Sequence, residues 1–294
     1  MELTDLRYFW HAATVGSFLG AAEVAHVTPP AISKAIKRLE RDLNVALFVR
    51  STRRVVLTPG GETLRAHAER ILRDVDELRL EVAGGSVEVR GDLHIAAMEV
   101  FSTQLLPDAL ARLVKKHPRV RPMAYEMIPE RMEELLAQGR LDVGLTIGGG
   151  TRPEIHYQKL GHSEGVLVCG RGHPLYRRGR ITPAQLATFP SVVPRFLGAE
   201  HLPPLDQFLD LPRHVGATIE LLQMGVSLAL SGQFLAYFPQ ITIAAQLRNG
   251  SLKALRGLPR GRPFDLRALT RVGVRPRPAA SQLIETLAAR LAKS

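Results

Sequence analysis

A chain of 294 residues is long for one domain and comfortable for two, and 45% hydrophobic with 23% charged residues is an ordinary globular balance. No apolar run reaches the roughly eighteen residues of a membrane-crossing helix, and the opening MELTDLRYFWHAATVG lacks the basic start of a signal peptide. The one cysteine, Cys169, excludes an intramolecular disulfide and fits a reducing, cytoplasmic location, while a net charge of +11 suggests a polyanionic partner.

Taken in order, Leu3 to Val15 predicts a helix with Leu6, Phe9, Trp10 and Ala13 on its inner face and Gly16 as its stop. Phe18 to Lys37, FLGAAEVAHVTPPAISKAIK, then predicts two short helices joined by a tight turn at His26-Val27. Ser17 caps the first, because its hydroxyl can accept from an orphan amide at the helix start. Ala21, Ala22, Val24 and Ala25 give that helix a small apolar face that lets a second helix approach closely. Thr28 caps the second helix, and Pro29 takes its first position, where a missing N–H costs nothing. Ala31, Ile32, Ala35, Ile36 and Leu39 form the buried stripe, leaving Ser33, Lys34, Lys37 and Arg38 on or near the outer face. Such a pair, with small hydroxyls and cations pointing away from its packing face, is a helix-turn-helix suited to a DNA major groove.

Asn44 stands where a left-handed residue would end that helix. The apolar runs Val45 to Val49 and Val55 to Leu57 flank Arg50-Ser51-Thr52-Arg53-Arg54, which predicts a hairpin with a basic tip, a wing. Arg50, Arg53 and Arg54 would reach a phosphate or the minor groove beside the helix. The charge distribution agrees. Residues 1–90 hold 13 Lys+Arg against 12 Asp+Glu, and residues 91–294 hold 26 against 16, so the global excess says little about DNA. Between Thr28 and Thr58, however, seven cations face only Glu40 and Asp42.

Thr58-Pro59 repeats the cap-plus-proline start, and a long helix is expected to about Val82. Leu64, Ala68, Ile71, Val75, Leu78 and Val82 recur at alternating intervals of four and three, an a/d seam. Polar residues surround it on both sides, so a partner helix and a dimer are expected; the alternative is packing on the helix's own chain. Gly84-Gly85-Ser86 marks a hinge. Beyond it the pattern alternates strands and helices: a strand at Leu93 to Ala96, a helix at Leu105 to Lys116, a strand at Val120 to Met127, a helix at Glu130 to Gln138 and a strand at Val143 to Ile147. Further strands are expected at Val166 to Cys169, Ser191 to Val193, Phe234 to Phe238 and Leu266 to Val274. Further helices are expected at Thr182 to Ala187, Thr218 to Ser231, Ile241 to Arg248 and Ala279 to Lys293. This is an α/β succession with mostly parallel sheets, as one split domain or two lobes.

No histidine falls in a metal-ligand spacing, and no nucleophile–base pair stands out, so neither a metal, a cofactor nor a catalytic residue is expected. Cys169 lies mid-strand and reads as a buried structural thiol. Gly148-Gly149-Gly150 is followed by no Lys-Ser/Thr and is not a phosphate loop.

The stretch from Leu6 to Glu62 resembles the LysR-type transcriptional regulators. GSF, the paired Ala21-Ala22, Pro30-Ala31-Ile32-Ser33, Leu39-Glu40, Leu47-Phe48 and Leu57-Thr58 stand in the family's order. Gly91-Asp92-Leu93, Leu106-Pro107, Gly139-Arg140-Leu141-Asp142, His173-Pro174-Leu175 and Gly250-Ser251-Leu252 extend the likeness to the end of the chain. The resemblance implies a winged helix-turn-helix over residues 1–58, a dimerising linker helix over 59–89, and over 90–294 a two-lobed α/β effector domain like type 2 periplasmic binding proteins. It implies a homodimer or homotetramer on double-stranded promoter DNA, a small-molecule effector, RNA polymerase as a further partner, and no membrane association. A peroxide sensor of this family would need a second cysteine. Two departures count: Ala25 stands where the family usually has a leucine, and Pro29 stands where it commonly has a base-contacting Gln, so readout there is apolar, shape-based, or taken over by Thr28, Pro30, Ser33 or Lys34, with Ala31 beside them on the DNA-binding helix.

A two-lobed domain places its ligand between the lobes, at strand C-termini and helix N-termini. Val100, Phe101, Ser102 and Thr103 follow the first strand, and the two hydroxyls sit where amides favour an anion, or merely cap a helix. Chain crossings are expected near Thr146 to Gly149, with Ile147 and Gly148, and around Leu266 to Arg271. Pro194, Arg195, Phe196 and Gly232 would face them, and Arg195 could pair with a carboxylate. Glu99 opposes an anion. The expected function is sequence-specific promoter binding modulated by a small carboxylate or aromatic acid. The alternatives are an effector-independent regulator or a solute-binding α/β protein.

Overall fold

The computed structural model describes residues 1–49, 55–82, 89–195, 213–258 and 263–292. It divides after Glu88 into two units, 1–88 and 89–294. The wing tip with Arg50, Arg53 and Arg54, the Gly84–Ser86 hinge and Phe196 lie outside the described residues.

The first unit opens with α1 (Leu3–Val15), α2 (Phe18–Ala25) and α3 (Pro29–Leu43). Gly16, His26 and Asn44 end these helices in the left-handed conformation, and each cap amide bonds back into the preceding turn. The Ser17 hydroxyl accepts from the Gly20 amide at 3.2 Å. Thr28 holds the N-cap position of α3, but its hydroxyl makes no capping hydrogen bond. Strands β1 (Phe48–Val49) and β2 (Val56–Leu57) pair antiparallel as the base of the wing.

Helix α4 (Pro59–Val82) leaves the wing at once. The Thr58 hydroxyl accepts from the Gly61 amide at 3.0 Å and donates to the Ala46 carbonyl at 2.6 Å. Gly61 is required by this approach, since a Cβ there would lie 2.1 Å from the Leu47 carbonyl oxygen. The core gathers Leu6, Phe9 and Ala12 from α1, Ala21 and Ala22 from α2, and Ile32, Ile36 and Leu39 from α3. Phe48 closes it, its ring 5.4 Å from Phe9 and 5.3 Å from Phe18. Each large side chain so buried contributes about 1.5–3 kcal/mol. Ala12, rather than the expected Ala13, completes the inner face of α1; Trp10 and Ala13 sit half-buried at its edge.

The second unit runs β3 (Gly91–Ala97), α5 (Glu99–Gln104), α6 (Leu106–Lys116), β4 (Val120–Glu126), α7 (Pro129–Ala137), β5 (Val143–Ile147) and β6 (Ile155–Ser163). It continues with β7 (Gly165–Gly170), α8 (Pro183–Thr188), β8 (Pro190–Pro194), β9 (His214–Ile219), α9 (Leu222–Leu230), β10 (Leu235–Pro239), a 3-10 turn, α10 (Ala244–Arg248) and β11 (Leu252–Ala254). The chain ends in β12 (Phe264–Arg271) and α11 (Pro278–Leu291). Two five-stranded sheets result, in the orders β4-β3-β5-β12-β6 and β11-β7-β10-β8-β9. They are mixed rather than mostly parallel: β12 runs antiparallel to β5 and β6, and β7 runs antiparallel to β10 and β11.

The reason is the chain path. It passes from the first lobe to the second between Ser163 and Gly165 and returns between β11 and β12. The crossings are therefore not at Thr146 to Gly149, which follow β5 within the first lobe, nor at Leu266 to Arg271, which lie inside β12. Thr218 and Ile219 end a strand rather than begin a helix. Helix α5 and strands β6, β9 and β11 add to the expected elements.

Candidate DNA-binding face and interlobe cleft

Helix α3 has two faces. Ile32, Ala35, Ile36 and Leu39 are buried against the other helices. Thr28, Pro29, Pro30, Lys34 and Lys37 are exposed, and Ala31 and Ser33 are half-buried at the rim. Residues three and four apart share a helix face, so Pro30, Lys34 and Lys37 point outward together. The hydroxyl of Thr28, unused in capping, stands at the exposed end of this row. Both acids in the patch are engaged elsewhere: Glu40 Oε1 accepts from the Leu47 amide at 2.8 Å and fixes the turn into the wing, and Asp42 pairs with the Met1 ammonium at 2.7 Å.

Arg38 does not join that face. Its Nε donates to Asp5 Oδ2 at 2.9 Å and its Nη2 to Asp5 Oδ1, which clamps α3 to α1. Asp5 is buried, so the guanidinium is its internal counter-charge. Asp5 was legible in the sequence: it falls four residues before Phe9 and seven before Ala12, on the core face of α1, where an acid needs a partner.

The expected dimer seam divides in two. Ala68 is fully buried in the first unit's own core, joined by Leu72, with Leu64 and Ile71 packed against the same cluster. This half is the own-chain packing given above as the alternative. Val75 is half-buried, while Leu78 is 57% exposed and Val82 79%. An Arg7–Asp76 ion pair at 3.3 Å ties α4 to α1 just before the exposed portion begins.

In the second unit, Val100 and Phe101 are core residues, although Val100 also reaches the cavity between the lobes. The hydroxyls of Ser102 and Thr103 are engaged locally. They donate to the carbonyls of Met98 (3.4 Å) and Glu99 (2.8 Å) within their own helix. The group that reaches across is Glu99. Its Oε2 accepts from the Leu222 amide and its Oε1 from the Gln223 amide (2.8 Å), at the first turn of α9 in the other lobe. A helix start carries unpaired amides and partial positive charge, and here a carboxylate of the same chain fills it.

Beside this bridge lies a cavity of about 180 Å³. Its apolar wall includes Met98, Met127, Ile128, Ile147, Leu221 and Leu222; its polar lining is Glu99, Glu126 and Glu220. Burial first, then repulsion from Glu99 and Glu220, pushes the Glu126 carboxyl above its ordinary range. Of the predicted effector residues, Val100 and Ile147 line this space. Gly148, Pro194 and Arg195 do not; the Arg195 amide donates to the Ile219 carbonyl at 2.8 Å, one strand away from Glu220. Gly232 packs on Gly172 beyond the far end of α9.

The looser motifs of this half are scaffold. Asp142 accepts from the His94 amide at 2.8 Å and pairs with Arg277 at 3.4 Å. His173 Nδ1 accepts from the Leu175 amide at 3.1 Å, and burial lowers its proton affinity. Cys169 is buried, which pushes its thiol up to about 11. No group of metal-ligating side chains and no helix long and apolar enough to cross a membrane is found among the described residues.

A helix face for DNA on one unit and a cavity for a small molecule in the other are the two halves of a ligand-responsive transcriptional regulator. The chain belongs to the LysR family of such regulators: residues 3–62 match the bacterial regulatory helix-turn-helix protein model of the lysR family, and residues 86–292 match the LysR substrate binding domain. It is 34% identical over 201 residues to the Hca operon transcriptional activator HcaR of Escherichia coli, spanning 68% of each chain. It is 29% identical over 262 residues to the SDS degradation transcriptional activation protein of a Pseudomonas strain, 88% of this chain and 85% of that one. Among solved structures, full-length OxyR from Pseudomonas aeruginosa shares the fold with a TM-score of 0.69 at 23% identity, covering 98% of this chain and 94% of that one. LysR-family members bind promoter DNA and small-molecule effectors and form oligomers.

Proposed function

We propose that α3 reads promoter DNA with Thr28, Pro30, Ala31, Ser33, Lys34 and Lys37, while Arg50, Arg53 and Arg54 of the wing add phosphate or minor-groove contacts. The observation that carries this reading is the division of α3: its apolar stripe is fully used inside the unit, and Thr28, Pro30, Lys34 and Lys37 form an exposed row beside it. Arg38 is excluded because Asp5 holds it. Pro29 offers no donor to a base edge, so discrimination rests on Thr28, Ser33 and Lys34, with apolar contacts from Pro30 and Ala31. The protein works beside the chromosome, in the cytoplasm, as an oligomer joined through the exposed end of α4. Its effector site is the cavity between the lobes.

Selection of bound sequences from a random duplex pool, followed by anisotropy titrations, tests the reading. An enriched interrupted palindrome bound tightly by the wild type and weakly by Lys34→Ala supports it. Equal enrichment by both proteins would place the readout elsewhere.

A further inference from the structure

The cavity between the lobes has a charge opposite to that of the domain around it. Residues 91–294 carry 26 Lys+Arg against 16 Asp+Glu. Yet, among the described residues, the ionisable side chains lining the cavity are three glutamates, Glu99, Glu126 and Glu220, with no Lys, Arg or His. Glu126 and Glu220 are exposed at its mouth, and Glu99 is half-buried inside. The amides at the start of α9, the natural seat for an anionic ligand, are already occupied by Glu99. A carboxylate entering here would meet three negative charges and find those donors taken.

The remaining wall is apolar and adaptable. Met98 and Met127 supply flexible thioethers, and Ile128, Ile147 and Leu221 supply branched carbon. An engineered apolar cavity of about 150 Å³ is known to hold benzene. A volume of about 180 Å³ therefore admits a ring-sized body with a short arm. Burial first, and then repulsion from Glu99 and Glu220, raises the Glu126 carboxyl, and a bound cation would relieve the repulsion.

We propose that this cavity takes an organic cation: an ammonium or guanidinium group held between Glu126 and Glu220, with a compact apolar body of about one aromatic ring against Met98, Met127 and Leu221. This deepens the assignment of the cavity as the effector site and rests on it. It replaces the carboxylate expected from composition. Charge-assisted hydrogen bonds to two carboxylates give the selectivity, and the apolar body supplies the burial.

The test compares three ligands of one shape and different charge by calorimetry on the full chain: 2-phenylethylamine, 2-phenylethanol and phenylacetate. The expected result is amine binding at least about tenfold tighter than the alcohol, with no binding of phenylacetate. In the E126Q/E220Q double variant, both positions being exposed, the amine should lose that advantage and bind like the alcohol. Leu221→Trp, at an exposed position, should fill the cavity and abolish amine binding.

Three results overturn the inference: phenylacetate binding more tightly than the amine, an unchanged amine preference in the double variant, or no binding of any of the three. These are separable from failure of the site itself. If phenylacetate binds and Leu221→Trp abolishes it, the cavity is the effector site and only the charge class is wrong. If the amine binds and Leu221→Trp leaves it intact, the ligand sits elsewhere.

Discussion

Replacing Leu78 and Ala68 separately by glutamate divides the apolar seam of α4 into its two roles. Burying a leucine is worth about 1.5–3 kcal/mol. With 57% of Leu78 still exposed, roughly 1 kcal/mol per chain remains for a partner to gain, and a symmetric dimer gains it twice. Leu78→Glu should therefore weaken dimerisation by about 2 kcal/mol, or ~30-fold in Kd. Val82→Glu should add to this, since Val82 is 79% exposed. Neither should move the melting temperature of the dilute monomer, because exposed substitutions usually change stability by less than about 0.5 kcal/mol. Ala68→Glu is different. It forces an unpaired carboxylate into the first unit's core and should unfold that unit at any concentration. Sedimentation equilibrium reports the first effect and thermal melting the second. An unchanged oligomer in the Leu78→Glu, Val82→Glu double variant, or a native melt for Ala68→Glu, would refute the division.

Lys34→Ala should relax base preference at one position of the operator, whereas Arg53→Ala should weaken all sequences alike and reduce the slope of log affinity against log salt by about 1; a slope in Arg53→Ala unchanged from the wild type would show that Arg53 does not meet phosphate. Asp5→Asn takes the negative charge from beneath Arg38 and should lower the melting temperature while leaving the selected operator sequence unchanged; a changed sequence would make Arg38 a reader. His173 is buried and its proton affinity is lowered from the ordinary 6.5, so the unfolded chain takes up the proton first. Its contribution to stability is thus complete above pH 6.5 and is lost as pH falls towards the lowered value, and His173→Gln should flatten that part of the melting-versus-pH curve. Cys169, with its thiol near 11, is almost wholly protonated at pH 7 and should react with iodoacetamide only after unfolding, leaving DNA binding indifferent to peroxide.

The first unit was legible residue by residue because its signals are local. Gly16, Ser17, Pro29 and Asn44 mark helix ends, and the recurrence of Ile32, Ala35, Ile36 and Leu39 needs only one helix to be read. What escaped there depends on a neighbour. Arg38 looks outward in a helical projection until Asp5 of α1 is known to lie beneath its edge. Ala68 looks like half of a seam until the core behind it is filled by Leu6 and Phe9. In the second unit the buried strands β3, β5 and β7 announced themselves as apolar runs. Strand β6, IHYQKLGHS, did not, because it is an edge strand that buries only Ile155, Leu160 and Ser163. The lobe crossings follow from strand order, and strand order is a property of pairing that no local pattern carries.

The proposed cation site departs from the anion expectation for a related reason. Composition averages over a surface, while a ligand meets only the few side chains that the fold turns towards it. The ten-charge excess of residues 91–294 is real, but several of its cations pair away from the cavity: Arg121 with Asp92, Arg277 with Asp142, Arg290 with Asp108, and Lys159 with Asp265. None of these pairs lines the cavity. Glu99 was visible in the sequence as a carboxylate near a helix start, and it argued against an anion there. What the sequence did not show is that the helix start it serves is not its own. By capping α9 from the opposite lobe, Glu99 links the two halves of the domain and sits inside the cavity they enclose. A ligand that engages this carboxylate competes with the Leu222 and Gln223 amides for it, so binding and the relation between the lobes share one group.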